Sequence, residues 1–67
     1  MFIANYNHTA IINTAHIVKA VITAPMYEQK NYRVEAVLSF GQGTSILHDG
    51  TEDSCAQFLA ELYRTIG

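Results

Sequence analysis

Sixty-seven residues with a single cysteine make one small domain that can hold no internal disulfide. The net charge is -2, with Lys19, Lys30, Arg33 and Arg64 scattered along the chain, which excludes the clustered cations that nucleic-acid binding requires. No run approaches the ~20 apolar residues of a membrane span, and Met1 to Tyr6 lacks the cationic start and apolar core of a signal peptide, so a cytoplasmic chain is expected.

The first element is a short strand, Phe2 to Tyr6, in which Phe2, Ala4 and Tyr6 share a face by period-2 spacing. Asn7-His8 supplies a turn, because Asn tolerates left-handed backbone, and Thr9 to Asn13 returns as a second strand. Asn13 also stands first in Asn13-Thr14-Ala15-His16, where Thr-Ala suits a bend or corner better than a tight hairpin. His16 to Ala24 is a longer strand. Val18, Ala20, Ile22 and Ala24 line one side of it, and Ile17, Lys19, Val21 and Thr23 the other. Pro25 ends it for want of an N–H, and Pro25 to Asn31 is a loop with two apolar side chains, Met26 and Tyr27.

Tyr32 to Phe40 is the clearest strand. Tyr32, Val34, Ala36, Leu38 and Phe40 alternate with Arg33, Glu35, Val37 and Ser39, a pattern that a helix does not give. Gly41-Gln42-Gly43 is a hairpin signal, Thr44 to His48 returns as the last strand, and Asp49-Gly50 turns the chain onward.

Thr51 to Ile66 reads as one amphipathic helix. At ~100° per residue, Cys55, Phe58, Leu59, Leu62, Tyr63 and Ile66 fall within roughly 140° of arc, opposite Asp53, Gln57, Glu61 and Arg64. Thr51 is a sound N-cap, with Glu52 and Asp53 in the first turn and Arg64 and Gly67 at the end. The predicted fold is therefore α+β: an antiparallel β-meander of about five strands with one C-terminal helix packed on one face, a single domain over residues 1–67.

One helix covers one face, which is expected to be that of Val18, Ala20, Ile22, Val34, Ala36, Leu38 and Phe40. The other face then carries Ile17, Val21 and Val37 among Lys19, Arg33 and Glu35. An antiparallel sheet often leaves such a face to water. Only 15% of the residues are charged, however, well under the usual quarter. A domain this small often leans on a second subunit. Ile17, Val21 and Val37, with Met26 and Tyr27 of the loop, are the candidate interaction surface.

Chemistry is sparse. His8, His16 and His48 match no short metal-ligand spacing, so no metal or other cofactor is expected, and side chains at turns and strand ends are usually solvated. Cys55 sits in the first full turn of the helix, where the dipole favours a thiolate, but Glu52 and Asp53 oppose it and the residue lies on the apolar stripe. A buried, inert cysteine is the favoured reading over a Cys55–His48 nucleophile pair, for which no third group is apparent. The carboxylates show no pairing.

Ile11-Ile12-Asn13 leading to His16-Ile17-Val18, then Tyr32-x-Val34-x-Ala36-x-Leu38 and the Gly50-Thr51-Glu52 helix start, give a layout that resembles small bacterial single-domain proteins of uncharacterised function. The strand-turn-strand-helix order is also similar to that of the small flagellar regulatory protein FlbD. The resemblance implies a meander with a C-terminal helix and carries over no residue and no activity. The function expected is a small non-enzymatic, homo-oligomeric interaction or regulatory module, a dimer first, with an unidentified protein partner as a further prospect. The alternative is a small-ligand or metal-binding protein using the 25–31 loop or the histidines.

Overall fold

The computed structural model describes residues 1–39 and 43–66, with Ile66 seen by its backbone. Phe40, the Gly41-Gln42 part of the expected hairpin turn, and the Gly67 helix stop lie outside the described residues. The elements are β1 (Phe2–Ala4), β2 (Ile11–Asn13), a 3₁₀ turn (Thr14–His16), β3 (Ile17–Thr23), β4 (Tyr32–Leu38), β5 (Thr44–Gly50) and α1 (Glu52–Ile66). The fold is α+β and its strands pair antiparallel. The five strands do not form one meander, however: β1 and β2 make a separate hairpin, and β3-β4-β5 form the main sheet.

The division follows from how the chain turns. Asn5 closes the first hairpin, its Oδ1 accepting from the N–H groups of Thr9 and Ala10 at 2.8 and 3.1 Å. His8, rather than Asn7, takes the left-handed position, at φ 60°. The strands stop short of Tyr6 and Thr9, and the Tyr6 N–H instead donates to the Ile46 carbonyl of β5 at 3.0 Å. Asn13 then caps the 3₁₀ turn by accepting from the Ala15 N–H at 3.0 Å, which makes the expected corner. Thr14 is buried there, and both its N–H and its hydroxyl donate to the Met1 carbonyl, at 2.9 and 3.1 Å.

In β4 the alternation holds. Val34 and Ala36 are fully buried, and Tyr32 and Leu38 pack beside them against Cys55 and Leu62 of α1. Ile12 and Ile3, paired across the hairpin, close one end of the same core. In β3 the alternation slips. The register shifts between Ile17 and Lys19, and this bulge turns Ile17 onto the helix-covered face and leaves Val18 65% exposed. A one-residue bulge exchanges the faces of everything before it, so the expected placements of Ile17 outside and Val18 inside are both reversed. A second bulge in β5 makes Leu47 the extra residue between His48 and Ile46, and Leu47 is buried. That strand also runs further than expected, since Asp49 and Gly50 pair with Arg33 and Tyr32 instead of turning the chain.

Thr51 caps α1, its hydroxyl accepting from the Ser54 N–H at 3.1 Å and its carbonyl from the Cys55 N–H at 3.0 Å. Leu62 and Cys55 point inward, but Tyr63, expected on the buried stripe, is 79% exposed at its margin.

The β3 bulge has a direct thermodynamic consequence. Ile17→Ala removes packed methylenes and is expected to cost about 1.5–3 kcal/mol. Val18→Ala, on exposed surface, should stay within about 0.5 kcal/mol. Denaturant unfolding of both variants checks the assignment, and the opposite ranking would restore the unbulged register.

Candidate functional site

Two places on the molecule gather side chains that are not explained by the core alone. The first lies where β5 hands over to α1. Leu47 is the bulged residue of β5, and His48, next to it, stands opposite Val34, so its ring faces the helix. There it stacks on Phe58, with ring centroids 5.0 Å apart and planes inclined by 15°, and its Nε2 lies 2.9 Å from Ser54 Oγ. A histidine expected to be solvated at a strand end is instead half-buried and braced between two helical side chains. The Ser54 hydroxyl also lies 3.2 Å from the Thr51 carbonyl. A hydroxyl has one proton, so when it donates to Thr51 it must accept from the imidazole N–H.

Gly50 makes this approach sterically feasible. A Cβ built on Gly50 would fall 2.6 Å from Ser54 Oγ and 3.3 Å from His48 Nε2. The role of this glycine is close approach between strand and helix, since its φ is not in the left-handed region. The Ser54–His48 distance is that of a nucleophile and its base. Asp49, the adjacent carboxylate, belongs to another network: its carboxylate accepts from Asn31 Nδ2 at 2.7 Å and from Arg33 Nε at 2.8 Å. The arrangement therefore works as a brace that ties β5 to the first turn of α1.

Cys55 sits beneath this brace, fully buried and free. Burial pushes its thiol pKa up, the Asp49 charge adds to that, and the Gly50 backbone N–H opposes. The helix-dipole route to a thiolate is thus outweighed, and His48 is directed to Ser54 rather than to Cys55. His16 Nδ1 lies 3.5 Å from Ser39 Oγ, and His8 is exposed in the first hairpin loop. Among the described residues, no three His, Cys, Asp or Glu side chains stand close enough to hold a metal ion. No helix among them is long and apolar enough to cross a membrane.

The second place is the side of the main sheet that ends in β3. Among the described residues β3 is hydrogen-bonded to a strand on one side only, to β4, so its outer edge is free. Two adjoining hollows form a mostly apolar groove between this edge and α1, lined by Ile17, Val18, Ala20 and Ile22 from the strand and by Ala56, Leu59 and Tyr63 from the helix, with Lys19 and Arg64 contributing charge. The face of the sheet turned away from the helix carries Val21, 36% exposed and paired with Glu35, and Val37, half-buried and paired with Lys19 and Thr44. Val21 and Val37 therefore share a face as expected, whereas Ile17 has left it for the core. Met26 is exposed, and Tyr27 is 97% exposed at φ 56°, in a turn closed by the Gln29 N–H on the Met26 carbonyl at 3.0 Å.

Sequence reasoning missed Val18 and Tyr63 at the groove and the Ser54–His48 brace. Gly50 was the one available signal for the brace, since a glycine at the end of a strand marks a close approach as well as a turn.

Gly50→Ala is expected to swing the Ser54 hydroxyl away and break its bond to His48, at a cost of about 1–2 kcal/mol. Adding Ser54→Ala should recover part of that loss, because the clashing atom is gone. A double-mutant cycle by chemical denaturation measures the coupling, and strictly additive effects would refute the brace. On the opposite sheet face, the Asn31 amide is the largest influence holding the Asp49 carboxyl below its ordinary value of 3.8, with the Arg33 guanidinium assisting and partial burial opposing. A depressed folded-state pKa contributes stability in full above the ordinary value and loses it as pH falls through the folded one. Unfolding midpoints measured from pH ~6 down to ~2 should fall less steeply in Asp49→Asn than in the parent.

No family model, curated protein or solved structure matches this chain, so its functional reading rests on its own residues.

Proposed function

We propose that this protein is a small, non-enzymatic interaction or regulatory module of the cytoplasm that works as a homo-oligomer, a dimer first. The observation that carries the reading is the free edge of β3 together with the apolar groove beside it. An unpaired edge strand presents a row of backbone donors and acceptors and is a template for another strand, and stable proteins usually blunt or cover it. Here the seven residues of β3 include one charged side chain, Lys19, and no proline. The surface around it is apolar, with Val18 65% and Tyr63 79% exposed.

The low charge content works in the same direction. Ten charged side chains must serve the whole surface of a 67-residue chain, and covering one apolar flank removes the part they serve least. Val21 and Val37, on the sheet face next to that edge, extend the contact surface around the corner. Met26 and Tyr27, at the far end of the β3–β4 connection, stand apart from it and are free for a different protein partner.

Absolute mass in solution, by light scattering behind a size-exclusion column at several loading concentrations, tests the reading. The expected mass is that of two or more chains, falling toward one as concentration drops. A single-chain mass throughout, with an intact circular dichroism spectrum, would exclude self-association.

A further inference from the structure

We propose that two copies join through their β3 strands, edge to edge and antiparallel, about a two-fold axis beside Ala20. Two three-stranded sheets then become one six-stranded sheet with both helices on the same side. The arrangement rests on the self-association proposed above and names its surface and its register.

The register comes from how α1 lies on β3. Ile22 shares one hollow with Ala56, Leu59, Tyr63 and Arg64, Ala20 shares the next with Leu59, Leu62 and Tyr63, and both Leu59 and Tyr63 border the two. β3 and β5 run the same way, and α1 turns back over the sheet directly after β5, so the helix runs opposite to β3, with Leu59 beside Ala20. Pairing Ala20 with the partner's Ala20 brings the axis past Leu59. Tyr63 is then opposite Ala56 of the partner subunit, a large side chain facing a small one, and the contact repeats with the roles exchanged.

Spacing supports the same choice. The helix lies over the centre of its own sheet, where it touches β3, β4 and β5. Across the new interface the two β4 strands stand three strand spacings apart, about 14 Å between the helices above them. Helices in direct contact pack at roughly 8–10 Å. The difference must be filled by large side chains, and Tyr63, 79% exposed, with Leu59 beside it, is placed to fill it.

Charge selects a second copy over a foreign strand. With Ala20 at the axis, Lys19 lies opposite the partner's Val21. Within each chain Val21 is paired with Glu35, so the Lys19 ammonium reaches across an apolar side chain toward the partner's Glu35. Symmetry forms this ion pair twice. A standard dimer also needs roughly 600–1,000 Å² from each partner, which is about one full flank of a molecule measuring 30 × 25 × 19 Å.

The test combines mass with a covalent trap. Chains carrying Lys19→Cys and chains carrying Val21→Cys are mixed and mildly oxidised. Directly opposed residues of an antiparallel pair have Cα atoms ~4.5–5.5 Å apart, within disulfide range, whereas diagonal ones do not. The mixture is expected to give a disulfide-linked dimer in a yield that neither variant reaches alone, and Cys55 is too buried to compete. A two-chain mass without that selective cross-link would overturn the β3 arrangement and leave self-association standing, and a one-chain mass would overturn both. Tyr63→Glu, which alters only exposed helix surface, should weaken the dimer at least tenfold, and an unchanged dissociation constant would equally count against it.

Discussion

A three-stranded sheet and one helix enclose a core one layer deep, and that layer is held by the contact of β4 with α1. Val34 and Ala36 project from the central strand, Cys55 and Leu62 from the helix, and all four are almost fully removed from water. Two of the four are small. Small residues let the helix approach the sheet closely, and close packing raises the density of contacts that dispersion supplies. The same economy sets a limit. Among the described residues no second layer shields the other sheet face, so its mixed character follows from architecture rather than from any one residue.

The junction of β5 and α1 shows how such a thin core is kept in register. Strand and helix are joined through Thr51, which leaves little chain to absorb an error in helix direction. Capping by Thr51 fixes the first turn, the His48 ring spans the step from strand to Phe58, and Gly50 removes the side chain that would hold the two apart. Each device is modest alone. Together they set the angle at which the helix descends on β4, and with it the exposure of the groove beside β3.

Much of this was readable from residue order. The β4 alternation, the Thr51 cap, the burial of Cys55 and the corner at Asn13 all depend on local periodicity or on side chains bonding their own backbone, and such signals sit within a few residues of each other. What escaped was non-local. Nothing in Ile17-Val18-Lys19 says which residue is bulged, because the bulge is decided by how β3 meets β4. The split of the strands into a hairpin and a sheet depends on Asn5 closing its own loop and on Tyr6 finding Ile46. The Ser54–His48 pair spans six positions and needs the turn to be in place first. For the candidate surface, Val21 and Val37 followed from simple alternation, whereas Val18 and Tyr63 required the actual packing.

The bond from Tyr6 to Ile46 also bears on how far the proposed assembly could extend. It ties the first hairpin loop to one carbonyl on the β5 edge, whereas among the described residues no such bond occupies the β3 edge. A sheet with two open edges can add copies without end and become a fibre. A sheet with one open edge can double once and is then finished, because the doubled object has only obstructed edges left. If the β3 edges pair as proposed, the N-terminal hairpin, which adds Ile3 and Ile12 to the core, is placed to hinder further addition at β5.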